Sequence, residues 1–270
     1  MMRYEGRNAV VLGLGLTGLT LARYLARHGA RVRVADTRAE PPNAAALSAA
    51  LPQVPLETGP FSASTFAGAD LIAISPGVAK DQPAIAEAVA HGADLAGDIE
   101  LFARALPPTQ KVLAITGTNG KTTVTALTGA LVQAAGLSTV VAGNIGDPVL
   151  DALERHENGA PWPSVYVLEL SSYQIDLTHS LDCDVAALLN ITPDHLDRYE
   201  NFAGYVASKA RLFAMQSADH HAVFGIGDDQ TATIAGMQVN RHEPGRVHFA
   251  EGRGLADLQK DWPSLQGPHN

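Results

Sequence analysis

Residues Ile115–Thr123 read Ile-Thr-Gly-Thr-Asn-Gly-Lys-Thr-Thr and lie between an apolar segment and a helical pattern. Lys111–Ile115 predicts a buried strand, and small and apolar residues recur at helical spacing from Lys121 to Ala135. Glycines that expose backbone N–H groups, a lysine and a following hydroxyl are the parts of a P-loop. Such a loop holds nucleotide phosphates and Mg²⁺ at a helix N-terminus.

The loop is a variant, because the usual pattern places a glycine five residues before Gly120 and Ile115 stands there. A chance Gly-Lys-Thr in an ordinary turn is the alternative. The strand before the loop and the helix after it favour the P-loop. We therefore expect nucleotide contacts from Gly117, Thr118, Asn119, Gly120, Lys121, Thr122 and Thr123.

Composition sets the limits on the class of protein. The chain has 270 residues, of which 46% are hydrophobic and 17% charged, as expected for a globular protein with two domains. The formal net charge of -9 argues against a broad nucleic-acid surface. Cys183 is the only cysteine, which excludes an internal disulfide. Without a signal-peptide pattern or an apolar run of about 18 residues, we expect a cytoplasmic protein with no membrane span.

The N-terminal region carries a second glycine-rich turn. Gly13–Gly18 reads Gly-Leu-Gly-Leu-Thr-Gly and follows an apolar strand, Ala9–Leu12. The next strand, Arg31–Ala35, ends on Asp36, which lies 21 residues after Gly15. This arrangement is typical of a Rossmann-like domain in which the acid holds a ribose hydroxyl. NAD is the default ligand of the pattern, and another nucleotide diphosphate is the alternative.

The predicted fold class is α/β, with a Rossmann-like domain followed by a central P-loop ATPase domain on a mainly parallel sheet. Pro107-Pro108 ends one helical pattern directly before the P-loop strand and is the best linker. We place the first domain at residues 1–106, the second at 107–262 and the start of a further linker at 263–270.

A carboxylate interrupts the apolar strand that begins at Val165. A buried, unpaired Glu169 would cost several kcal/mol, so it needs a cation or a hydrogen-bond partner. Its place late in the strand favours Mg²⁺ beside the phosphates. The alternative is an edge strand on which Glu169 faces water.

Two further residues are candidates for the same site. Asp194 and His195 follow the strand Val185–Leu189, and His195 is either a ligand or a structural histidine. His220 and His221 have no such context and are expected at the surface.

Lys209 lies in the apolar stripe of a predicted helix, four residues after Tyr205 and four before Phe213. Either its ammonium reaches the surface, or it is buried with a lowered pKa. A buried neutral amine could react with CO₂ to form a carbamate, which is an anionic metal ligand.

Together these motifs resemble the Mur ligases of peptidoglycan precursor synthesis. The N-terminal motifs are closest to the member that adds D-glutamate to UDP-N-acetylmuramoyl-L-alanine. The motifs are Thr-Gly-Thr-Asn-Gly-Lys-Thr-Thr at 116–123, Gly-Asn-Ile-Gly at 143–146, Leu-Glu-Leu-Ser-Ser-Tyr-Gln at 168–174, Asn-Ile-Thr-Pro-Asp-His-Leu-Asp-Arg-Tyr at 190–199, Ser-Lys-Ala-Arg-Leu at 208–212, Ala-Asp-Thr-Arg at 35–38, Ser-Pro-Gly at 75–77 and Gly-Asp-Ile-Glu-Leu-Phe at 97–102.

The resemblance implies that the first domain binds UDP and not NAD. It places Leu16 and Thr17 near the diphosphate. It places Asp36, Thr37 and Arg38 near uridine. The full set implied for the UDP substrate is Leu16, Thr17, Asp36, Thr37, Arg38, Ser75, Gly77, Asn144 and Ser171.

For the second domain the resemblance implies ATP and Mg²⁺ as cofactors. Thr122 and Glu169 would share one metal, and Glu169, His195 and carbamylated Lys209 would serve a second. The residues implied for catalysis are Lys121, Asn144, Glu169, His195 and Lys209.

The implied reaction begins when the L-alanyl carboxylate attacks the ATP γ-phosphate. The D-glutamate amine then displaces phosphate from the acyl phosphate. Mur ligases have a third, C-terminal domain that supplies the D-glutamate site, and residues 265–270 resemble the entry into it. We therefore expect a chain that can bind the UDP substrate but cannot complete ligation, and separately we expect a monomer. A non-catalytic fragment that binds the UDP precursor, a Mur ligase for another amino acid and an NAD-dependent oxidoreductase are the alternatives.

Overall fold

The computed structural model describes residues 3–250. These residues form two compact units, one of residues 3–105 with 148–160 and the other of residues 106–147 with 161–250. Each unit contains one β-sheet in which every strand pair is parallel. The predicted α/β class is confirmed, and both described sheets are wholly parallel. The predicted linker at 263–270 lies outside the described residues.

The sheet of the first unit has the strand order β3-β2-β1-β4-β5. The central strand β1 is apolar from Ala9 to Leu12, because a parallel strand covered on both faces meets no water. These four residues are fully buried. The elements are β1 Asn8–Leu12, α1 Leu16–Arg27, β2 Arg31–Asp36, α2 Ala44–Ala50, β3 Leu56–Thr58, a 3₁₀ turn Ala63–Phe66, β4 Leu71–Ile74, α3 Pro83–Ala90, β5 Asp94–Ala96 and α4 Asp98–Ala105.

The sheet of the second unit has the strand order β11-β10-β9-β6-β8-β7. The chain runs through β6 Lys111–Thr116, α5 Lys121–Ala134, β7 Thr139–Gly143, α6 Val149–Glu157, β8 Val165–Glu169, α7 Ser172–Asp176, β9 Val185–Leu188, α8 Phe202–Ala214, β10 His221–Gly225, α9 Asp229–Val239 and β11 Val247–Ala250. All of these elements except α6 belong to the second unit.

Helix α6 belongs to the first unit, although the sequence pattern places residues 148–160 in the second domain. Its apolar side is buried, with Leu150 and Leu153 almost inaccessible to water. Its acidic side pairs with α1, where Arg27 bonds Glu157 at 2.8 Å and Arg23 bonds Glu154 at 3.1 Å. The chain therefore leaves the second unit after Asp147 and returns to it at Pro161.

The register of the second sheet brings several strand ends to one edge. Glu169 is level with Ile115 of β6 on one side and with Gly143 of β7 on the other. Thr116 is level with Leu188 of β9. Ligands of open parallel sheets bind at the carboxyl ends of the strands, so this edge positions the candidate site. No helix among residues 3–250 is long and apolar enough to cross a membrane.

Candidate nucleotide site

The P-loop leaves β6 and enters α5 through two glycines with positive φ. Gly117 has φ 156° and Gly120, the residue before the helix, has φ 79°. A Cβ atom at Gly117 would lie 3.1 Å from the Leu189 Cβ, so a side chain has little room there. The first turn of the 14-residue α5 carries backbone N–H groups without intrahelical partners, which is the arrangement that binds phosphate.

The lysine of the loop lies over the loop itself. Lys121 Nζ donates a hydrogen bond to the carbonyl oxygen of Thr118 at 2.9 Å. Thr122, the predicted Mg²⁺ ligand of this loop, is exposed at the start of α5. The ammonium and the hydroxyl therefore both lie beside the helix N-terminus, as the P-loop interpretation requires.

Glu169 is buried at the end of β8, with 1% of its surface exposed. Strand β8 lies between β6 and β7, which excludes the edge-strand alternative. One carboxylate oxygen, Oε1, accepts a hydrogen bond from Asn144 Nδ2 at 2.7 Å. The other, Oε2, is buried and has no hydrogen-bond partner. An unpaired, buried carboxylate oxygen is the kind of group that a cation would satisfy.

The contact between Glu169 and Asn144 depends on a glycine. The backbone N–H of Asn144 donates to the carbonyl oxygen of Glu169 at 2.9 Å, which brings the two chain segments together. A Cβ atom on Gly143 would lie 2.3 Å from that same oxygen, and Gly143 has φ 108°. Only glycine fits this position without a shift of the backbone.

Lys209 is 1% exposed, so its ammonium does not reach the surface. Nζ donates to the carbonyl oxygen of Gly117 at 2.8 Å and lies 4.8 Å from the centre of the Tyr205 ring. Burial, reinforced by the charge of Lys121, lowers the pKa of Lys209 to about 7, and Asp194 opposes the shift. At neutral pH a large fraction of Lys209 is therefore an uncharged amine that contacts the P-loop.

His195 follows β9 and is the only non-glycine residue with positive φ in the part of the chain that the structure describes, at φ 53°. Its backbone N–H donates to Asp194 Oδ1 at 2.8 Å, and its side chain is 43% exposed. The Tyr173 ring lies 5.0 Å from the imidazole. Strained backbone of this kind occurs at functional sites, which agrees with an imidazole presented to a ligand.

Within residues 3–250, no group of three or more histidine, cysteine, aspartate or glutamate side chains is placed to hold a metal ion. The predicted ligands are the hydroxyl of Thr122, the carboxylate of Glu169, the imidazole of His195 and the amine of Lys209. Of these, only Glu169 and His195 belong to the histidine, cysteine, aspartate and glutamate residues that such a group contains. The half-paired carboxylate of Glu169 fits a cation by its chemistry. The metal roles of Thr122, His195 and Lys209 stay predictions.

Ser171, predicted to contact the substrate, caps the short helix α7. Its Oγ accepts from the Gln174 backbone N–H at 3.3 Å and donates to Gln174 Oε1 at 3.1 Å. The hydroxyl therefore already takes part in a capping box. A substrate contact would share or replace one of these bonds.

In the first unit, the residues predicted for the UDP substrate converge at the carboxyl ends of three adjacent strands. The turn 13–18 follows β1, residues 36–38 end β2, and residues 75–77 follow β4. The order of the sheet reverses between β1 and β4, and ligands bind at such a switch point. Leu16 is 61% exposed there, Thr37 and Gly77 are also exposed, Thr17 is half-buried and Ser75 is buried.

Asp36 is committed to contacts within the protein. Its Oδ2 accepts from the backbone N–H of Leu14 at 2.6 Å, and Arg38 binds both carboxylate oxygens through its guanidinium. The hydrogen bonds from Arg38 and Leu14 hold the pKa of Asp36 at about 2, although burial opposes the shift. Asp36 thus fixes the glycine turn and orients Arg38, and a ribose hydroxyl would have to compete with these donors.

Two residues that contact the P-loop, and one at the start of the loop, are absent from the predicted site. Tyr205 Oη lies 3.0 Å from Thr118 Oγ1, and the Thr116 hydroxyl lies 3.4 Å from Lys209 Nζ. Asn190 bonds the backbone of the loop. Tyr205 and Asn190 stand in or beside the motifs quoted above, but their partners are distant in sequence, so spacing alone does not reveal them.

Two wholly parallel α/β units, one with a Rossmann-type turn and one with a P-loop, define a class of nucleotide-binding α/β proteins. Comparison with known families narrows the class. The profile of the Mur ligase MurD-like N-terminal domain matches residues 7–97, and that of the Mur ligase middle domain matches residues 115–261. The chain belongs to the Mur ligase family. The family predicted from the motifs is confirmed, and the oxidoreductase alternative loses its support.

Curated relatives named UDP-N-acetylmuramoylalanine--D-glutamate ligase are similar over most of the chain. The protein of Thiobacillus denitrificans is 54% identical over 89% of this chain and 53% of its own length. Those of Novosphingobium aromaticivorans and Methylobacillus flagellatus are 51% and 49% identical over 99% and 100% of this chain. The chain spans 58% and 61% of these two relatives, little more than half of their length.

A solved structure supports the fold. A crystal structure of UDP-N-acetylmuramate:L-alanyl-gamma-D-glutamyl-meso-diaminopimelate ligase from Neisseria meningitides matches with a TM-score of 0.57. The match covers 90% of this chain and 78% of that one, at 19% identity. At this level of identity the likeness concerns the fold alone.

Proposed function

We propose that this chain is the UDP-binding and ATP-binding part of an ATP-dependent ligase that joins D-glutamate to UDP-N-acetylmuramoyl-L-alanine. The observation that carries the proposal is the half-paired, buried carboxylate of Glu169. It lies at the carboxyl end of β8, level with the end of β6 where the P-loop begins. A phosphoryl-transfer site needs such a carboxylate for Mg²⁺. Relatives of 49% to 54% identity that bear this ligase name support the choice of substrates.

In this reaction a carboxylate oxygen of the L-alanyl group attacks the γ-phosphorus of ATP, and the bond to the β-phosphate oxygen breaks. The amine of D-glutamate then attacks the acyl carbon, inorganic phosphate leaves, and the amine loses a proton. The N-terminus of α5 and Lys121 hold the phosphates and offset their charge as the anionic nucleophile approaches. Bound Mg²⁺ would supply further charge neutralisation, with Thr122, Glu169 and His195 as its candidate ligands.

Lys209 has a separate role in the proposal. The lowered pKa makes its amine available to CO₂, and the carbamate would add an anionic group next to the start of the P-loop. Asn144 holds Oε1 of Glu169, so that Oε2 is the oxygen left for a cation. The exposed residues at the edge of the first sheet, including Arg38, are the candidates for the diphosphate and uridine of the precursor.

A second candidate function is precursor binding without turnover, for which the residues at the carboxyl ends of β1, β2 and β4 would suffice. The purified chain would be incubated with ATP, Mg²⁺, UDP-N-acetylmuramoyl-L-alanine and D-glutamate, and ADP release would be followed. ADP formation that needs both substrates supports ligation by the chain alone. Affinity for ATP and the UDP precursor without such turnover supports the binding function. Failure to bind either nucleotide would contradict both.

We further propose a cytoplasmic location, where precursor and ATP are available. The monomeric state stays a prediction.

A further inference from the structure

The P-loop is paired along its backbone with the segment that follows β9. The N–H of Thr118 donates to the carbonyl oxygen of Asn190 at 2.9 Å. The N–H of Asn119 donates to Asn190 Oδ1 at 2.9 Å, and Asn190 Nδ2 donates to the carbonyl oxygen of Asn119 at 3.0 Å. One residue therefore satisfies three polar groups of the loop.

Thr192 continues this pairing. Its N–H donates to Thr118 Oγ1 at 3.1 Å, and the Thr118 hydroxyl lies 3.2 Å from the Thr192 carbonyl oxygen. The supporting segment is itself fixed from α9, because the N–H of Ile191 donates to Asp228 Oδ2 at 3.0 Å. Asp228 also caps α9 through the N–H of Thr231. The loop thus rests on a segment that is held on its other side.

This pairing determines which N–H groups can bind phosphate. The N–H groups of Thr118 and Asn119 point to Asn190, so they are not directed at a phosphate. The N–H groups of the first turn of α5, which follows Gly120, are among those that remain for phosphate. The position and direction of that turn depend on the conformation of residues 118 and 119, which Asn190 fixes.

The chemistry of the contact requires an asparagine. The side chain must accept from one N–H and donate to one carbonyl at the same time, through two different atoms. An amide does this, whereas an ionised carboxylate has no donor and a hydroxyl has a single oxygen for both bonds. The backbone groups of Asn119 also fix the orientation of the Asn190 amide, since the reverse orientation would set N–H against N–H. Aspartate has nearly the same shape but would set a carboxylate oxygen against the Asn119 carbonyl oxygen.

We propose that Asn190 is a positioning residue for nucleotide binding, which holds Thr118 and Asn119 so that the N-terminus of α5 faces the phosphates. This inference rests on the proposed function, because it assumes that the P-loop binds ATP. Asn190 does not touch the phosphates in this proposal; it acts through the loop.

The test compares Asn190→Asp and Asn190→Ser with the wild-type chain, and uses Asn240→Asp as a matched control at an exposed position of the same unit. ATP with Mg²⁺ is the probe, and affinity is measured by calorimetry at pH 7. We expect both Asn190 variants to bind about tenfold more weakly, the equivalent of one or two lost hydrogen bonds. Asn240→Asp should bind as the wild type does.

Two readouts separate positioning from a general loss of structure. Amide hydrogen exchange without nucleotide should be faster at residues 118 and 119 in both Asn190 variants and unchanged elsewhere in the sheet. On acidification from pH 7 to pH 5, the protonated fraction of the Asn190→Asp carboxyl increases, and the protonated form can donate to the Asn119 carbonyl. The affinity gap between this variant and the wild type should therefore narrow, whereas that of Asn190→Ser should not.

Equal ATP affinity in the wild type and in Asn190→Asp would overturn the inference and leave the proposed function intact. So would unchanged exchange at residues 118 and 119. A wild-type chain that does not bind ATP would overturn the proposed function, and with it the nucleotide role of Asn190. Lower thermal stability or aggregation of a variant does not enter these comparisons, because affinity is normalised to the folded, binding-competent fraction.

Discussion

Asn144 holds one side of the Glu169 carboxylate and leaves the other side without a partner. Nδ2 of Asn144 donates to Oε1 at 2.7 Å, and Oε2 is buried with no hydrogen bond. The charge of Glu169 therefore costs folding free energy unless a cation binds to it. Removal of this charge should weaken ligand binding without a matching loss of stability.

Replacement of the carboxylate in Glu169→Gln tests this relationship. The amide oxygen of the new side chain can still accept from Asn144, so we expect the free energy of unfolding to stay within about 1 kcal/mol of the wild type. The gain in ATP affinity that Mg²⁺ provides should fall by about tenfold or more, because the anionic oxygen is gone. Titration with ATP in Mg²⁺ and in EDTA measures this gain, and denaturant unfolding measures the stability. Glu200→Gln, at an exposed position, is the control, and an undiminished effect of Mg²⁺ in Glu169→Gln would contradict the metal role.

Lys209 should make stability depend on pH above neutrality. Its pKa is lowered from 10.5 to about 7 in the folded chain, mainly by burial. Between these values the unfolded chain binds the proton that the folded chain has lost, so the free energy of unfolding rises with pH. Denaturant unfolding from pH 7 to pH 10 should show this rise. In Lys209→Met the slope should be smaller by up to about 1.4 kcal/mol per pH unit.

Lys111→Met is the matched control for that measurement. Its hydrogen bond to Asp184 raises the pKa of Lys111, so this exposed lysine keeps its proton across the same range. The Lys111 variant should therefore retain the wild-type slope. Identical slopes in the wild type and Lys209→Met would show that Lys209 is protonated in the folded chain. That result would contradict the lowered pKa of Lys209.

Asp36 should stabilise the first unit at neutral pH and not in acid. Its pKa is lowered from 3.8 to about 2, chiefly by the hydrogen bonds from Arg38. The stabilisation is present above about pH 4 and is lost as the pH falls toward about 2. Asp36→Asn should lower the free energy of unfolding by about 1–2 kcal/mol at pH 7, with a much smaller difference at about pH 2.5. Denaturant unfolding at the two pH values measures this difference, and an equal loss at both would refute the assigned role of the charge.

Much of this arrangement is readable from local sequence signals. The glycine turns at 13–18 and 117–120 are recognisable because positive φ and phosphate cradles require glycine at fixed offsets. The central strands are recognisable because parallel strands buried on both faces are apolar throughout. The place of Lys209 in an apolar stripe raises the question of burial, and the structure decides it, because the side chain is 1% exposed.

The remaining features depend on contacts between residues far apart in sequence. The placement of α6 in the first unit depends on α1, where Arg27 meets a glutamate 130 residues later in the chain. The support of Asn119 by Asn190 spans 71 residues. Such pairs produce no periodic pattern in a single sequence, and each partner alone is a residue type that is common at protein surfaces. His221 is a further case, since its sequence context predicts a surface residue without a role.

His221 is part of a chain of hydrogen bonds that requires its imidazole to be neutral. Arg246 donates to its Nε2 at 2.8 Å, so Nε2 carries no proton, and Nδ1 lies 2.8 Å from Nε2 of His248 on the adjacent strand β11. The neutral tautomer with the proton on Nδ1 is the one that can donate to His248. Burial, and then the charge of Arg246, lowers the pKa of His221 below its ordinary value of 6.5.

The hydrogen bonds of neutral His221 stabilise the folded chain. Because the folded-state pKa of His221 is lowered from 6.5, this stabilisation is present above pH 6.5 and is lost as the pH falls below it. Protonation of His221 would set its Nε2–H against the Arg246 guanidinium, and the pairing of β10 with β11 should loosen. NMR titration of the histidine resonances should give a pKa below 6.5 for His221, and Arg246→Gln should raise it. Amide protection in β11, measured relative to the intrinsic exchange rate at each pH, should fall between pH 7 and pH 5 in the wild type and less so in His221→Gln. A His221 pKa that does not respond to Arg246→Gln would contradict this account, because the guanidinium that contacts Nε2 is the cation that opposes protonation of the ring.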